Sequence, residues 1–206
     1  MTDRPIIFCA PMIQALLAGR KTQTRRLAWS KRKPTSSNRG TRLSRWDGRS
    51  IWQTVRPGDR LWVRESWALA GCQADATGKE YFDARSMLAD HLRFRADAQG
   101  YDEVVQEWRS TIHMPRWASR LTLLVTATKV ERLQAIELPD VRAEGCEVRE
   151  FWIFGADKDG RNESARNIYR GIWESLHGAG AWDANPEVVV LAFTVKQRNI
   201  DHVLAA

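Results

Sequence analysis

The chain has 206 residues, 43% of them hydrophobic and 28% charged, with a formal net charge of +7 and a pI near 9.7. That composition excludes a disordered chain, and the lack of any run of about 18 apolar residues excludes a transmembrane helix. The three cysteines are scattered and the four histidines show no ligand spacing, so neither a disulfide framework nor a zinc site is expected, and no cofactor is implied.

The first residues, MTDRPIIFCAPM, hold an apolar run too short for a signal peptide, with an acid before it. A cytoplasmic location follows as the expectation. RPIIFCA (4–10) reads as a short buried strand that Pro11 ends. PMIQALLAG follows as a helix, with Pro11 at its first position and Gly19 at its stop. KTQTRRL then alternates as a strand, with Thr22, Thr24 and Arg26 on one face and Lys21, Gln23, Arg25 and Leu27 on the other.

Residues 28–50 show neither period and are rich in Ser, Arg, Gly and Lys, which predicts a basic loop carrying Trp29 and Trp46. RPGDRLWVRES (56–66) opens with a Pro-Gly turn and continues as a strand. Within 70–108, a short helix at FDARSMLADHL and a strand at FRAD are the only elements expected. RLTLLVTATKVERL (120–133) is the clearest long strand, being rich in β-branched residues. LPDVRAEG (138–145) predicts a short helix that Gly145 stops. Residues 163–177 predict a helix capped by Asn162, with Ala165, Ile168, Tyr169, Ile172, Trp173 and Leu176 on its apolar face. NPEVVVLAFTVK (185–196) is a last buried strand. The fold class is therefore α+β: a small mixed barrel or curled sheet with helices packed around it.

The charge is local. Between Arg20 and Arg64 the only acids are Asp47 and Asp59, against a long series of Lys and Arg interleaved with tryptophans. A one-sided field of this kind attracts polyanions, and tryptophans among cations suit single-stranded nucleic acid or a nucleoside.

In chain order the sequence shows Ala18-Gly19-Arg20-Lys21-Thr22 with Thr24 and Arg26. Pro57-Gly58-Asp59-Arg60-Leu61-Trp62-Val63-Arg64-Glu65 comes next, then Ala143-Glu144-Gly145, then Val189 to Phe193. These segments resemble the ASCH domain, whose fold is similar to that of the PUA domain of RNA-modifying enzymes. IHMPRWASRLTL (112–123) and WDANP (182–186) look like the longer ASCH proteins of phages and prophages. The resemblance implies a single PUA-like domain over 1–206, with a basic insertion at about 28–50 and a less regular one at about 70–108. It implies binding of RNA or a modified nucleoside in a basic cleft, with no membrane partner.

One branch of the family resembles an amidohydrolase that deacetylates N4-acetylcytidine with a Lys, a Thr and a Glu, and other members are described as ribonucleases. Lys21 and Thr24 match that Lys and Thr by their spacing from Gly19, and the Glu is Glu144 or Glu147. The set is chemically coherent: a threonine nucleophile, a lysine base, and a glutamate that orients the amine or moves the proton. The remaining binding candidates are Arg20, Thr22, Arg26, Trp62, Arg64, Glu65, His113 and Trp117. His113 would serve a ribonuclease as general base, and Glu65 is a partner for Arg26 or Arg64. A phage structural or assembly role is the reading without nucleic acid. The stretch GRKTQTRR is expected to floor the cleft, with Lys21 swung in beside Thr24 and Arg25 facing away. Alanine at Arg25 would then be the mildest change there.

Overall fold

A computed structural model describes residues 1–29, 48–70, 91–98, 105, 107–148 and 158–203. Most of the expected basic loop, including Trp46, and residues 82–90 of the expected helix at FDARSMLADHL lie outside the described residues, while Leu92 at its end stands in a strand. The chain forms two compact units. The first comprises Met1–Thr2, Gly19–Asp59 and Val125–Thr194; the second comprises Asp3–Ala18, Arg60–Leu124 and Val195–Ala206.

In the second unit, β1 (Asp3–Ile7) pairs in parallel with β3 (Arg60–Arg64). Strand β3 pairs antiparallel with the start of β6 (Thr122–Arg132). Ile6, Phe8, Leu61 and Val63 are buried, while the other face of the pair carries Asp3, Arg60, Trp62 and Arg64. Helix α1 (Ala10–Leu17) starts one residue before the expected Pro11, which stands second in it, and buries Ile13, Ala15 and Leu16. Two short strands, β4 (Trp67–Leu69) and β5 (Leu92–Phe94), pair antiparallel over a cluster of Trp67, Met114 and Ala118.

Asp3 closes this unit on its own chain end. Its carboxylate accepts from Arg60 Nε and Nη2 at 2.8 Å each and from Arg116 Nη2 at 2.7 Å, and Arg116 also holds Asp201. The hydrogen bond from Arg60, followed by that from Arg116, keeps the Asp3 carboxyl below its ordinary value against the opposing effect of burial. A depressed carboxyl stabilises the fold above its unfolded value and loses that contribution as pH falls through its folded value. Asp3→Asn should therefore lower stability by about 1 kcal/mol at neutral pH. The gap from wild type should close in acid, as urea titrations at the two pH values will measure.

In the first unit, β2 (Gln23–Leu27) pairs antiparallel with β7 (Glu187–Lys196), and β6 lies on the other side of β7. The mixed sheet thus runs β1-β3-β6 in one unit and β6-β7-β2 in the other. Among the described residues this order is not closed. The core of the first unit is Leu133, Ile136, Val141, Ala165, Tyr169, Trp173, Trp182, Val188 and Val190. Helix α2 (Leu138–Ala143) has Pro139 second in its first turn, with Asp140 accepting from the Glu137 backbone N–H at 3.2 Å.

Helix α3 spans Lys158–His177 and so begins before the residue expected to cap it. Asn162 sits inside it, and its carboxamide oxygen accepts from the Leu138 N–H at 2.9 Å. The side chain serves the neighbouring helix rather than its own end. The face of α3 buries Ala165, Tyr169 and Trp173, whereas Leu176 at the far end is exposed.

Candidate functional site

Two glycines set the positions of the two motif residues that meet in the first unit. Gly19, at φ +70°, takes the left-handed conformation that stops α1 and lets the chain turn into Lys21. Gly145, at φ +84°, does the same after α2, where its N–H donates to Arg142 O at 2.9 Å and Cys146 N–H to Val141 O at 3.3 Å. Glu144 is thereby fixed at the helix end. Lys21 and Glu144 pair as an isolated antiparallel bridge, and the Thr22 N–H donates to Ala143 O at 2.8 Å.

Lys21 is buried along its whole length. Its ammonium donates to Glu144 Oε2 at 2.8 Å and to the Glu144 carbonyl at 2.9 Å. The other oxygen, Oε1, accepts from Arg25 Nη1 at 3.1 Å. Arg25 Nη2 reaches Glu131 at 2.8 Å and Asp140 at 3.2 Å, and the guanidinium carbon lies 5.9 Å from the Tyr169 ring centroid. Gln23 donates to Asp140 at 3.1 Å from the same face. Plain alternation from Lys21 through Gln23 to Arg25 explains this set.

The expectation that Arg25 looks away while Lys21 swings toward Thr24 is therefore corrected. Arg25 shares Glu144 with Lys21, because carboxylates on α2, on β6 and at Glu144 all converge on that face of β2. Thr24 is buried on the opposite face, which Arg26 shares.

Burial opposes the charge on Arg25, but Glu144, Tyr169, Asp140 and Glu131 outweigh it and hold its proton more firmly than usual. Burial, helped by Glu144, pushes the Cys146 thiol up to about 11. The Tyr169 hydroxyl is likewise pushed well above its ordinary value, chiefly by burial and then by Glu144.

Arg20 is half exposed and meets Glu147 at 3.1 Å, so the two candidate glutamates take different cations. Thr22 is exposed. The Arg26 guanidinium lies 5.7 Å from the Trp52 ring centroid, and Trp29, exposed, donates to Glu187 at 2.7 Å.

The second unit holds the remaining candidates. Glu65 pairs with neither Arg26 nor Arg64. Both its oxygens accept from Arg120, at 2.9 and 3.0 Å, and Arg120 also holds Asp97. Alternation explains the miss, since Glu65 points to the face of β3 opposite Arg64. Burial raises the Glu65 carboxyl above its ordinary value against the pull of Arg120. Trp62 is buried beneath the Arg64 guanidinium, 5.1 Å from carbon to ring centroid. His113 is exposed on a single 3-10 turn, and Trp117 packs edge-on to Trp67 at 6.4 Å.

A cleft of about 480 Å³ in the first unit is lined by Gln134, Asp159, Glu163, Arg166, Asn167 and Trp182 among others, and by none of the candidates. Among the described residues no group of three or more His, Cys, Asp or Glu is placed to hold a metal ion, and no helix is long and apolar enough to cross a membrane. Comparison with family models, curated proteins and solved structures finds no match.

Proposed function

We propose that this chain is an ASCH-type, PUA-like protein that binds RNA or a modified nucleoside. One observation carries the reading. Lys21 of the G-R-K-T stretch and Glu144 of the A-E-G turn lie 123 positions apart, yet bond at 2.8 Å. Two of the motifs behind the resemblance thus meet in one piece of structure. The positive charge between Arg20 and Arg64, beyond Arg20, Lys21, Arg25 and Arg60, which meet acids, would supply the attraction for a polyanion.

Amide hydrolysis by Lys21, Thr24 and Glu144 is the weaker reading. It needs the threonine hydroxyl beside the lysine, and β2 turns Thr24 to its other face. The buried Lys21–Glu144 pair also acts as a structural contact.

The test is the affinity for a short single-stranded RNA, measured against salt. Binding should weaken steeply as salt rises, with a slope of about −0.7 per phosphate contacted. No binding at low salt, or binding indifferent to salt, defeats the proposal. Incubation with N4-acetylcytidine in the same buffer separates the hydrolase reading, which requires the appearance of cytidine.

A further inference from the structure

The second unit holds several arginines, among them Arg60, Arg64, Arg116 and Arg120. Arg60, Arg116 and Arg120 are closed on carboxylates, those of Asp3, Asp201, Glu65 and Asp97. Arg64 is not. Its Nε donates to the Met114 carbonyl at 3.0 Å and its Nη2 to the Ile112 carbonyl at 2.5 Å. Its guanidinium carbon lies over the Trp62 ring, 5.1 Å from the centroid. Among the described residues no carboxylate reaches it.

The two carbonyls occupy the side edge of the guanidinium. Among the described residues no hydrogen bond occupies the end edge, made by Nη1 and the second hydrogen of Nη2, which leaves it as a fork. A cation held by two carbonyls, with no counter-charge on it among the described residues, is already organised for an anion. Its planar fork matches two oxygens of a phosphoryl group, and little side-chain entropy remains to be lost on binding. The carbonyls that clamp it flank His113, which is exposed, as is Ile112.

The geometry points to Arg64 as the anchor for a phosphoryl group of a bound single-stranded nucleic acid. As to the strand itself, this rests on the RNA-binding reading above; as to the phosphoryl group, it stands alone. The shared chemistry is a phosphate, whether in a strand or free, and the experiment separates the two.

Arg64→Met and Arg64→Lys are compared with wild type in two measurements: binding of a single-stranded RNA decamer across a salt series, and the shift of Tm by inorganic phosphate. Melting curves confirm that each variant is folded, and the lysine variant, which keeps the charge, guards against an unfolded methionine variant. Arg64→Met should bind RNA about tenfold more weakly, the size of one lost charge-assisted contact. Its salt slope should fall by about 0.7, one phosphate on a single strand. Arg64→Lys should keep the slope but lose several-fold in affinity, because an ammonium has no fork.

If wild type binds RNA and both variants match it in affinity and slope, the anchor is wrong while the RNA-binding reading survives. If wild type binds no RNA, that reading fails. The anchor then stands only if phosphate raises the wild-type Tm and not that of Arg64→Met. Equal shifts, or none, overturn it.

Discussion

Arg25→Ala lowers stability by about 3–5 kcal/mol, more than any other single alanine substitution between Arg20 and Arg26. The side chain is fully buried and bonds three carboxylates, those of Glu131, Asp140 and Glu144. Removing it leaves those acids with Lys21 on Glu144 and Lys129 on Glu131, and takes the guanidinium away from the Tyr169 ring. An uncompensated buried charge costs far more than a lost surface pair.

Acid titration gives an independent check. Burial raises the Asp140 carboxyl, but the hydrogen bond from Gln23 and the charge of Arg25 outweigh it and hold the group below its ordinary value. Its stabilising contribution is present above the unfolded value and is lost as pH falls through the folded one. Arg25→Ala removes one cause of that depression, so its stability should depend less on pH over this acid range. Urea midpoints for Arg25→Ala, Arg25→Lys and Arg26→Ala decide the matter. If Arg26→Ala is the most damaging, the buried network does not carry the first unit.

The glycines that stop the two short helices are legible in the sequence. Gly19 and Gly145 stand where the sequence places them, and β2, β3, β6 and β7 fall within the stretches read as strands. The apolar period of α3 marked its core face but not its beginning, because residues 158–164 are almost wholly polar and Asn162 mimics a cap. Pairing across long separations was legible only through motif likeness, as for Lys21 with Glu144. Nothing local marks Arg120 as the partner of Glu65, 55 positions away.

Arg25 is the instructive miss. Its place on the Lys21 face was written in the alternation, but a run of cations suggests solvent unless the acids that neutralise it are known. Those acids lie more than 100 positions further on, at Glu131, Asp140 and Glu144.

Glu144→Gln should cost about 3 kcal/mol or more, because it leaves the wholly buried Lys21 ammonium facing a neutral amide. Lys21→Met also destabilises, but less, since Glu144 keeps Arg25 at 3.1 Å. The double variant Lys21→Met/Glu144→Gln removes both charges and leaves Arg25 on Glu131 and Asp140. It should be more stable than the sum of the single losses allows, by about 1–3 kcal/mol of coupling. This bears on every functional test of the motif. A Lys21 variant that loses ligand binding has lost fold stability as well, so activity must be compared at a temperature where the melting curves show each variant folded. Urea titration of the four proteins measures the coupling. A cycle in which the two losses simply add would show that the pair does not act as one buried unit. If Lys21→Met kept full stability yet lost turnover on N4-acetylcytidine, the lysine would belong to the chemistry and not to the scaffold.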